Sequence, residues 1–114
     1  MRIALAVAAV AALLVVPTVG AAGGTLKGTD GPGFTITLTQ SGKKVSSLKA
    51  GTYKIVVSDK SSIHNFHLTG PGVNKSTSVG ATGSKTWTVK LKKGTYKYVC
   101  DPHKTIMKGS FKVT

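Results

Sequence analysis

A short segment near the C-terminus gathers three side chains that bind soft metal ions. Cys100, the only cysteine of the chain, is followed by His103 and Met107. A fourth donor, His64, lies upstream next to Asn65. Thiolate and thioether groups favour Cu(I), whereas imidazole binds Cu(I) and Cu(II) alike. These residue types predict a copper site, with two histidines and the thiolate in one plane and the thioether as a weak axial ligand.

The N-terminus has the pattern of a secretory signal peptide. Arg2 precedes an almost unbroken run of alanine, valine, leucine and isoleucine that ends at Pro17, and small residues follow. We predict a signal peptide at residues 1–21 and one exported domain at residues 22–114, in the periplasm, cell envelope or medium. A retained anchor is the alternative, because the apolar run approaches the roughly 17 residues that span a bilayer.

A single cysteine is informative in an exported chain. It cannot form a disulfide within the chain, so it pairs with another chain, remains a free thiol, or is protected by another group. A bound metal ion would give such protection.

The chain is strongly basic, with a formal net charge of +13 and only three acidic residues. Nucleic acid is not the predicted partner, because the chain has an export signal, has no arginine after Arg2 and spreads its lysines along the sequence. Solvent-facing lysines on strands, which discourage edge-to-edge pairing, are one explanation. Attraction of a monomer to an acidic redox partner or an anionic envelope surface is the functional alternative.

The remaining sequence predicts an all-β, Greek-key sandwich or barrel of about seven to eight strands. Short runs rich in threonine, valine, isoleucine and aromatic residues alternate with glycine, proline, asparagine and serine clusters. The predicted strands are residues 25–28, 33–39, 51–58, 63–69, 84–91, 94–100 and 109–113, and the predicted loops include 70–74 and 80–83. The pattern Leu-x-x-Gly-x-Tyr occurs twice, ending at Tyr53 and Tyr96, and predicts two tyrosine corners.

Strand periodicity indicates which donors face inward. Alternation places Cys100 on the inner face with Tyr96 and Tyr98, and His64 on a face with Phe66 and Leu68. His67 falls on the opposite face and is predicted to have no metal role. Two further inward sets are predicted: Trp87, Val89 and Leu91, and Phe34, Ile36 and Leu38.

These pieces together resemble a cupredoxin, the small blue copper proteins related to plastocyanin, amicyanin and pseudoazurin. The matching parts are His64-Asn65, Tyr96-x-Tyr98-x-Cys100-x-Pro102-His103 and Met107-x-Gly109-x-Phe111-x-Val113. The resemblance implies that Asn65 hydrogen-bonds near the cysteine sulfur and braces the two ligand loops. It also implies that His103 is the electron port.

The ligand loop departs from the family in its length. Three residues separate His103 from Met107, whereas plastocyanin-like members usually have four and amicyanin has two. Pro102 has no backbone N–H to donate to the Cys100 sulfur, so we expect an electron-rich thiolate that favours Cu(II).

The predicted function is a non-enzymatic one: an exported type 1 copper protein that carries single electrons between redox partners. Zinc is a competing metal, and a catalytic zinc site would need a water and usually a nearby carboxylate base. Asp101 is the only acid in this region, and its neighbour Pro102 and the thioether of Met107 fit copper better. Copper enzymes need additional histidine-rich sites, and the chain has three histidines. Two alternatives stay open, an envelope copper-delivery protein without a dedicated electron partner and a metal-free structural domain.

Overall fold

The chain folds into two five-stranded sheets in a computed structural model that describes residues 23–114. The predicted signal peptide, residues 1–21, lies outside the described residues, and so does the first residue of the predicted domain. The strands are β1 (Thr25–Asp30), β2 (Ile36–Gln40), β3 (Lys43–Lys44), β4 (Ser47–Leu48), β5 (Gly51–Asp59), β6 (His67–Gly70), β7 (Val73–Ser76), β8 (Gly83–Leu91), β9 (Gly94–Val99) and β10 (Lys108–Val113). Within this part of the chain, no helix is long and apolar enough to cross a membrane.

The strand order shows why distant segments meet at one end of the molecule. One sheet has the order β3-β2-β1-β5-β8 and the other β4-β10-β9-β6-β7. In the second sheet, β9 lies between β10 and β6, and pairs antiparallel with both. The end of β9 therefore lies beside the start of β6 and the start of β10. The all-β sandwich is confirmed, with crossovers between its two mixed sheets.

The core between the sheets is dominated by stacked aromatic rings. Phe66 stacks on Tyr98 with ring centroids 5.5 Å apart, and Tyr96 stacks on Phe111 at 5.3 Å. Gly28 gives Phe66 its room, because a Cβ at that position would stand 2.9 Å from the ring. Burying such rings is among the largest favourable contributions to folding. The core thus fixes the chain immediately before Cys100 and immediately after Asn65.

Both predicted tyrosine corners are present. The Tyr53 hydroxyl donates to the backbone carbonyl of Lys49 at 2.7 Å. The Tyr96 hydroxyl donates to the carbonyl of Pro71 at 2.8 Å and accepts from the N–H of Lys92 at 2.9 Å. Tyr96 therefore ties the turn after β6 to the entry of β9, the strand that leads to the cysteine.

All seven predicted strands occur, with shifted ends, and three short ones were missed. The missed strands are β3, β4 and β7, of two, two and four residues. The predicted loop at 70–74 is partly wrong, because β7 begins at Val73. β3 and β7 are mostly exposed and β4 has only two residues, so none of the three shows the apolar alternation that marks a strand.

Two predictions about side-chain placement were wrong. Residues 63–66 are not in a strand, because β6 starts only at His67, so the alternation used for His64 does not apply to it. Phe34 is not core: it is 55% exposed. The N–H of Gly31 donates to the carbonyl of Thr35 and closes a turn that takes Phe34 out of β2.

Candidate metal centre

The loop that carries Cys100 and His103 is closed by its own backbone. Cys100 follows β9 and is fully buried. Its N–H donates to the carbonyl of Met107, and its carbonyl accepts from the N–H of His103. The N–H of Met107 in turn donates to the carbonyl of His103 at 2.8 Å. Residues 101–103 form one turn of 3-10 helix with Pro102 in its first turn, where a missing N–H costs nothing.

The segment that carries His64 lies outside the strands and is held by side chains as well as by backbone hydrogen bonds. Asp59 at the end of β5 accepts a hydrogen bond from the N–H of Ser61 at 3.2 Å. Thr77 accepts one from the N–H of Phe66 at 2.9 Å. Both ends of the segment are therefore fixed, and His64 between them is completely buried.

Three predicted donors converge at one point between these segments. The Nδ1 atoms of His64 and His103 lie 3.2 Å apart. The sulfur of Cys100 is 3.7 Å from His64 Nδ1 and 3.5 Å from His103 Nδ1. Such separations suit donors that each lie about 2.0–2.3 Å from a shared ion. Nε2 of His64 is buried without a partner among the described residues, so the fold directs Nδ1 to the donor group.

An aromatic ring covers the two histidines from the outside. Phe34 contacts His64 and His103 edge to face, with ring centroids 5.1 and 5.0 Å apart. The exposed Phe34 thus shields the donor atoms from water although it is not part of the core.

Asn65 makes the contacts expected of it. Its backbone N–H donates to the Cys100 sulfur at 3.4 Å. Its side-chain Nδ2 donates to an Asp101 carboxylate oxygen at 2.8 Å, and its Oδ1 accepts from the Asp101 N–H at 2.7 Å. This two-way pairing fixes the His64 segment to the Cys100 loop.

Comparison with known proteins agrees with this donor set. The model of the copper binding proteins of the plastocyanin/azurin family matches residues 33–114. The chain belongs to this family. It is a cupredoxin, and its cofactor is copper, with His64, Cys100 and His103 positioned to hold one ion.

The fold of this cupredoxin is similar to that of rusticyanin. A structure of reduced rusticyanin has 20% sequence identity and a TM-score of 0.59, with 81% of this chain and 80% of that chain covered. Rusticyanin from Thiobacillus ferrooxidans has 22% identity and a TM-score of 0.56, covering 81% and 78%. At such identities the likeness establishes the fold alone. No curated protein sequence matches this cupredoxin.

The fourth predicted ligand lies at the base of the same loop. Met107 is fully buried, and its backbone is bonded to His103 and Cys100. Its role as the axial ligand stays a prediction.

His67 is not part of the donor group, as predicted, but it supports the ligand loop in a way that the sequence analysis missed. Its Nδ1 lies 2.9 Å from Asp101 Oδ1, and its Nε2 lies 2.7 Å from the Asn74 side-chain oxygen. Asp101 therefore bonds to both Asn65 and His67. The missed signal was an acid directly after the cysteine together with a histidine on the neighbouring strand.

This ion pair shifts the pKa of both groups. Burial lowers the pKa of His67, but the hydrogen bonds to Asp101 and Asn74 outweigh it and raise the pKa overall. Burial raises the pKa of Asp101, and the hydrogen bonds from His67 and Asn65 outweigh it and lower the pKa. His67 therefore carries its proton, and Asp101 its charge, over a wider pH range than free side chains do.

We predict that the stability contribution of His67 depends on pH. Because its folded pKa is raised, the contribution is fully present below the unfolded value of about 6.5 and is lost as the pH rises through the folded pKa. The free energies of unfolding of the apoprotein and of His67→Gln, measured by urea denaturation, should therefore differ most in acid and least in mild alkali. Lys75→Gln, which removes a neighbouring charge from β7, is the control and should show no such trend. A difference that does not change with pH would contradict the prediction.

Proposed function

We propose that this cupredoxin is a non-enzymatic carrier of single electrons between protein partners. The observation that supports it is the convergence of His64, Cys100 and His103, whose donor atoms all lie within 4.8 Å of one another. When bound, copper supplies a one-electron Cu(I)/Cu(II) couple that suits this mixed set of donors. The protein contributes a fixed geometry, so little has to move when the charge changes.

His103 is the proposed electron port because it is the donor residue that is not fully buried. Exposed apolar side chains lie in the ligand-bearing segments or against His103: Ile106 is 63%, Phe34 55% and Ile63 52% exposed. Single exposed apolar residues are common on surfaces, but this group includes a ring that packs directly on His103. These three side chains offer a partner an apolar contact surface next to the donor atoms.

The deciding experiment is the addition of Cu(II) to the purified apoprotein. We expect an intense blue thiolate-to-copper absorption band and reversible one-electron cycling, because the sulfur lies in the donor group. Cys100→Ser should abolish the band, and His67→Ala should keep it, because His67 is not one of the three donors. Weak colour with tight Cu(I) binding would favour copper delivery instead, and no binding would favour a structural role.

Replacement of Pro102 should raise the reduction potential. The sulfur of Cys100 receives the N–H of Asn65, and Pro102 cannot donate another. Pro102→Ala introduces an N–H beside the thiolate, which withdraws electron density from it and favours Cu(I). Voltammetry of the two copper-loaded proteins tests this, with Lys104→Ala in the same loop as the control. An unchanged or lower potential in Pro102→Ala would contradict it.

We further propose that the protein is exported and meets an acidic redox partner. The signal-peptide pattern of residues 1–21 supports export. A surface depression of about 500 Å³ beside the ligand loop supports the partner chemistry. Its lining has four lysines and no acid: Lys44, Lys97, Lys104 and Lys108, with Val99, Gly109 and Ser110. Attraction to an anionic envelope surface is the alternative, and it would depend on the same lysines.

Electron transfer to an anionic oxidant should depend on these lysines. For reduced protein and hexacyanoferrate(III), we expect a rate constant that falls as salt is added, because screening weakens the attraction. Lys104→Gln should lower the rate at low salt severalfold. Lys85→Gln, on β8 of the other sheet, carries the same charge change and should have a smaller effect in stopped-flow measurements. Equal effects of the two variants would assign the attraction to net charge alone.

A further inference from the structure

Two of the three acidic residues of the sequence lie side by side in the interior. Asp30 ends β1 and Asp59 ends β5, and the two are register partners in the parallel pairing of these strands. Their exposed fractions are 0% and 4%. A buried carboxylate is unfavourable unless it is paired or hydrogen-bonded, so this arrangement requires an explanation.

The two carboxyl groups differ in their hydrogen bonds. Asp59 accepts from the N–H of Ser61 at 3.2 Å and from the hydroxyl of Thr77 at 3.4 Å. No donor reaches either oxygen of Asp30 within the described part of the chain, and the carboxyl group beside it is that of its register partner Asp59. Ionised carboxylates accept but cannot donate. A hydrogen bond between these two groups therefore requires one proton that belongs to the pair.

The surroundings of Asp30 favour its protonated form. Burial, then the hydrogen bond and the negative charge of Asp59, raise the pKa of Asp30 to about 8. On the other side of β1, the register partner is the uncharged Ile36. His64 lies beyond Gly31, where a Cβ on the glycine would stand 3.2 Å from the imidazole ring. Asp59 is thus the charged side chain beside Asp30, whereas Lys60, whose backbone N–H donates to the Asp30 carbonyl, is exposed.

Asp59 in turn holds the segment that carries His64. Ser61, which donates its N–H to Asp59, accepts the N–H of His64 at its own carbonyl. Thr77, which donates to the other Asp59 oxygen, accepts the N–H of Phe66. Asp59 therefore holds both ends of the segment. On one side, two successive hydrogen bonds connect it to His64 through Ser61.

We propose that Asp30 and Asp59 share one proton and act together as positioning residues for His64. The Asp30 hydroxyl donates to the Asp59 carboxylate, which keeps Asp59 in place as acceptor for Ser61 and Thr77. Loss of the proton leaves two adjacent negative charges in the interior, which repel and loosen this anchor. The link to copper rests on the proposed role of His64 as a ligand, whereas the shared proton does not.

The sign of the pH effect follows from linkage. Asp30 keeps its proton in the folded state between the ordinary aspartate pKa of about 3.9 and the raised value, but loses it on unfolding in that range. Folding is therefore less favourable as the pH rises. The unfolding constant should increase up to about tenfold per pH unit from about pH 4 to about pH 8 on account of this group.

The first test compares the apoprotein with Asp30→Asn by urea denaturation across that pH range. The amide of asparagine donates to Asp59 at every pH, so the variant should fold. The rise of the unfolding constant with pH that Asp30 causes in wild type should be absent from it. Contributions of His67 and Asp101 cancel in the difference between the two proteins. Lys27→Gln, an exposed charge change on the same strand, is the control and should keep the wild-type trend. If the unfolding constants of wild type and Asp30→Asn changed with pH in parallel, the proposal would be overturned.

The second test follows the site itself. Carbon NMR of the wild-type apoprotein should show the Asp30 carboxyl titrating near pH 8, and a midpoint near pH 4 would overturn the proposal even if Asp30→Asn failed to fold. In the copper-loaded protein, the reduction potential should fall as the pH passes through about 8 in wild type and remain level there in Asp30→Asn. The same downward step in both proteins would overturn the positioning role. Because the first measurements contain no copper, a protein that bound none would count against the proposed function alone.

Discussion

The constraint on which this structure depends is that three electron-rich donor atoms, from two segments distant in sequence, must stay close together. The nearest pair, the two imidazole Nδ1 atoms, are 3.2 Å apart. The fold meets this constraint from outside the donor group, through bonds that join two segments distant in sequence. The reciprocal pairing of Asn65 with Asp101 is central, because each bond of the pair fixes one ligand segment to the other. The rigid aromatic core below supplies the platform.

The fold and the donor atoms could be predicted from sequence because they leave local signals. Alternation put Cys100 on the inner face with Tyr96 and Tyr98, and all three are buried. The same alternation selected His64, but it does not apply there, because His64 lies outside the strands. The exposed position of Phe34 depends on a turn closed by a backbone bond from Gly31. The pattern of apolar residues along a sequence does not show which backbone hydrogen bonds will close a turn.

The few acids of the chain have a common use that composition alone conceals. Asp101 bonds to Asn65 and His67, and Asp59 bonds to Ser61 and Thr77. Asp101 accepts N–H groups, and Asp59 accepts an N–H and a hydroxyl, from the segments next to the donors, while Asp30 is the register partner of Asp59. In this basic protein, the acidic residues therefore lie next to the segments that carry the donors, and none of them lines the depression beside the ligand loop. That distribution leaves lysines to define what a partner encounters.

The self-closed loop from Cys100 to Met107 has a consequence for how such proteins diversify. Its bonds run from Cys100 to Met107 and from His103 to both, so the loop completes its own hydrogen bonding between the ends of β9 and β10. An insertion or deletion inside it leaves the register of those strands untouched. A loop of another length between the same two strands would therefore leave the sandwich as it is. The three-residue spacing between His103 and Met107 is one such variant.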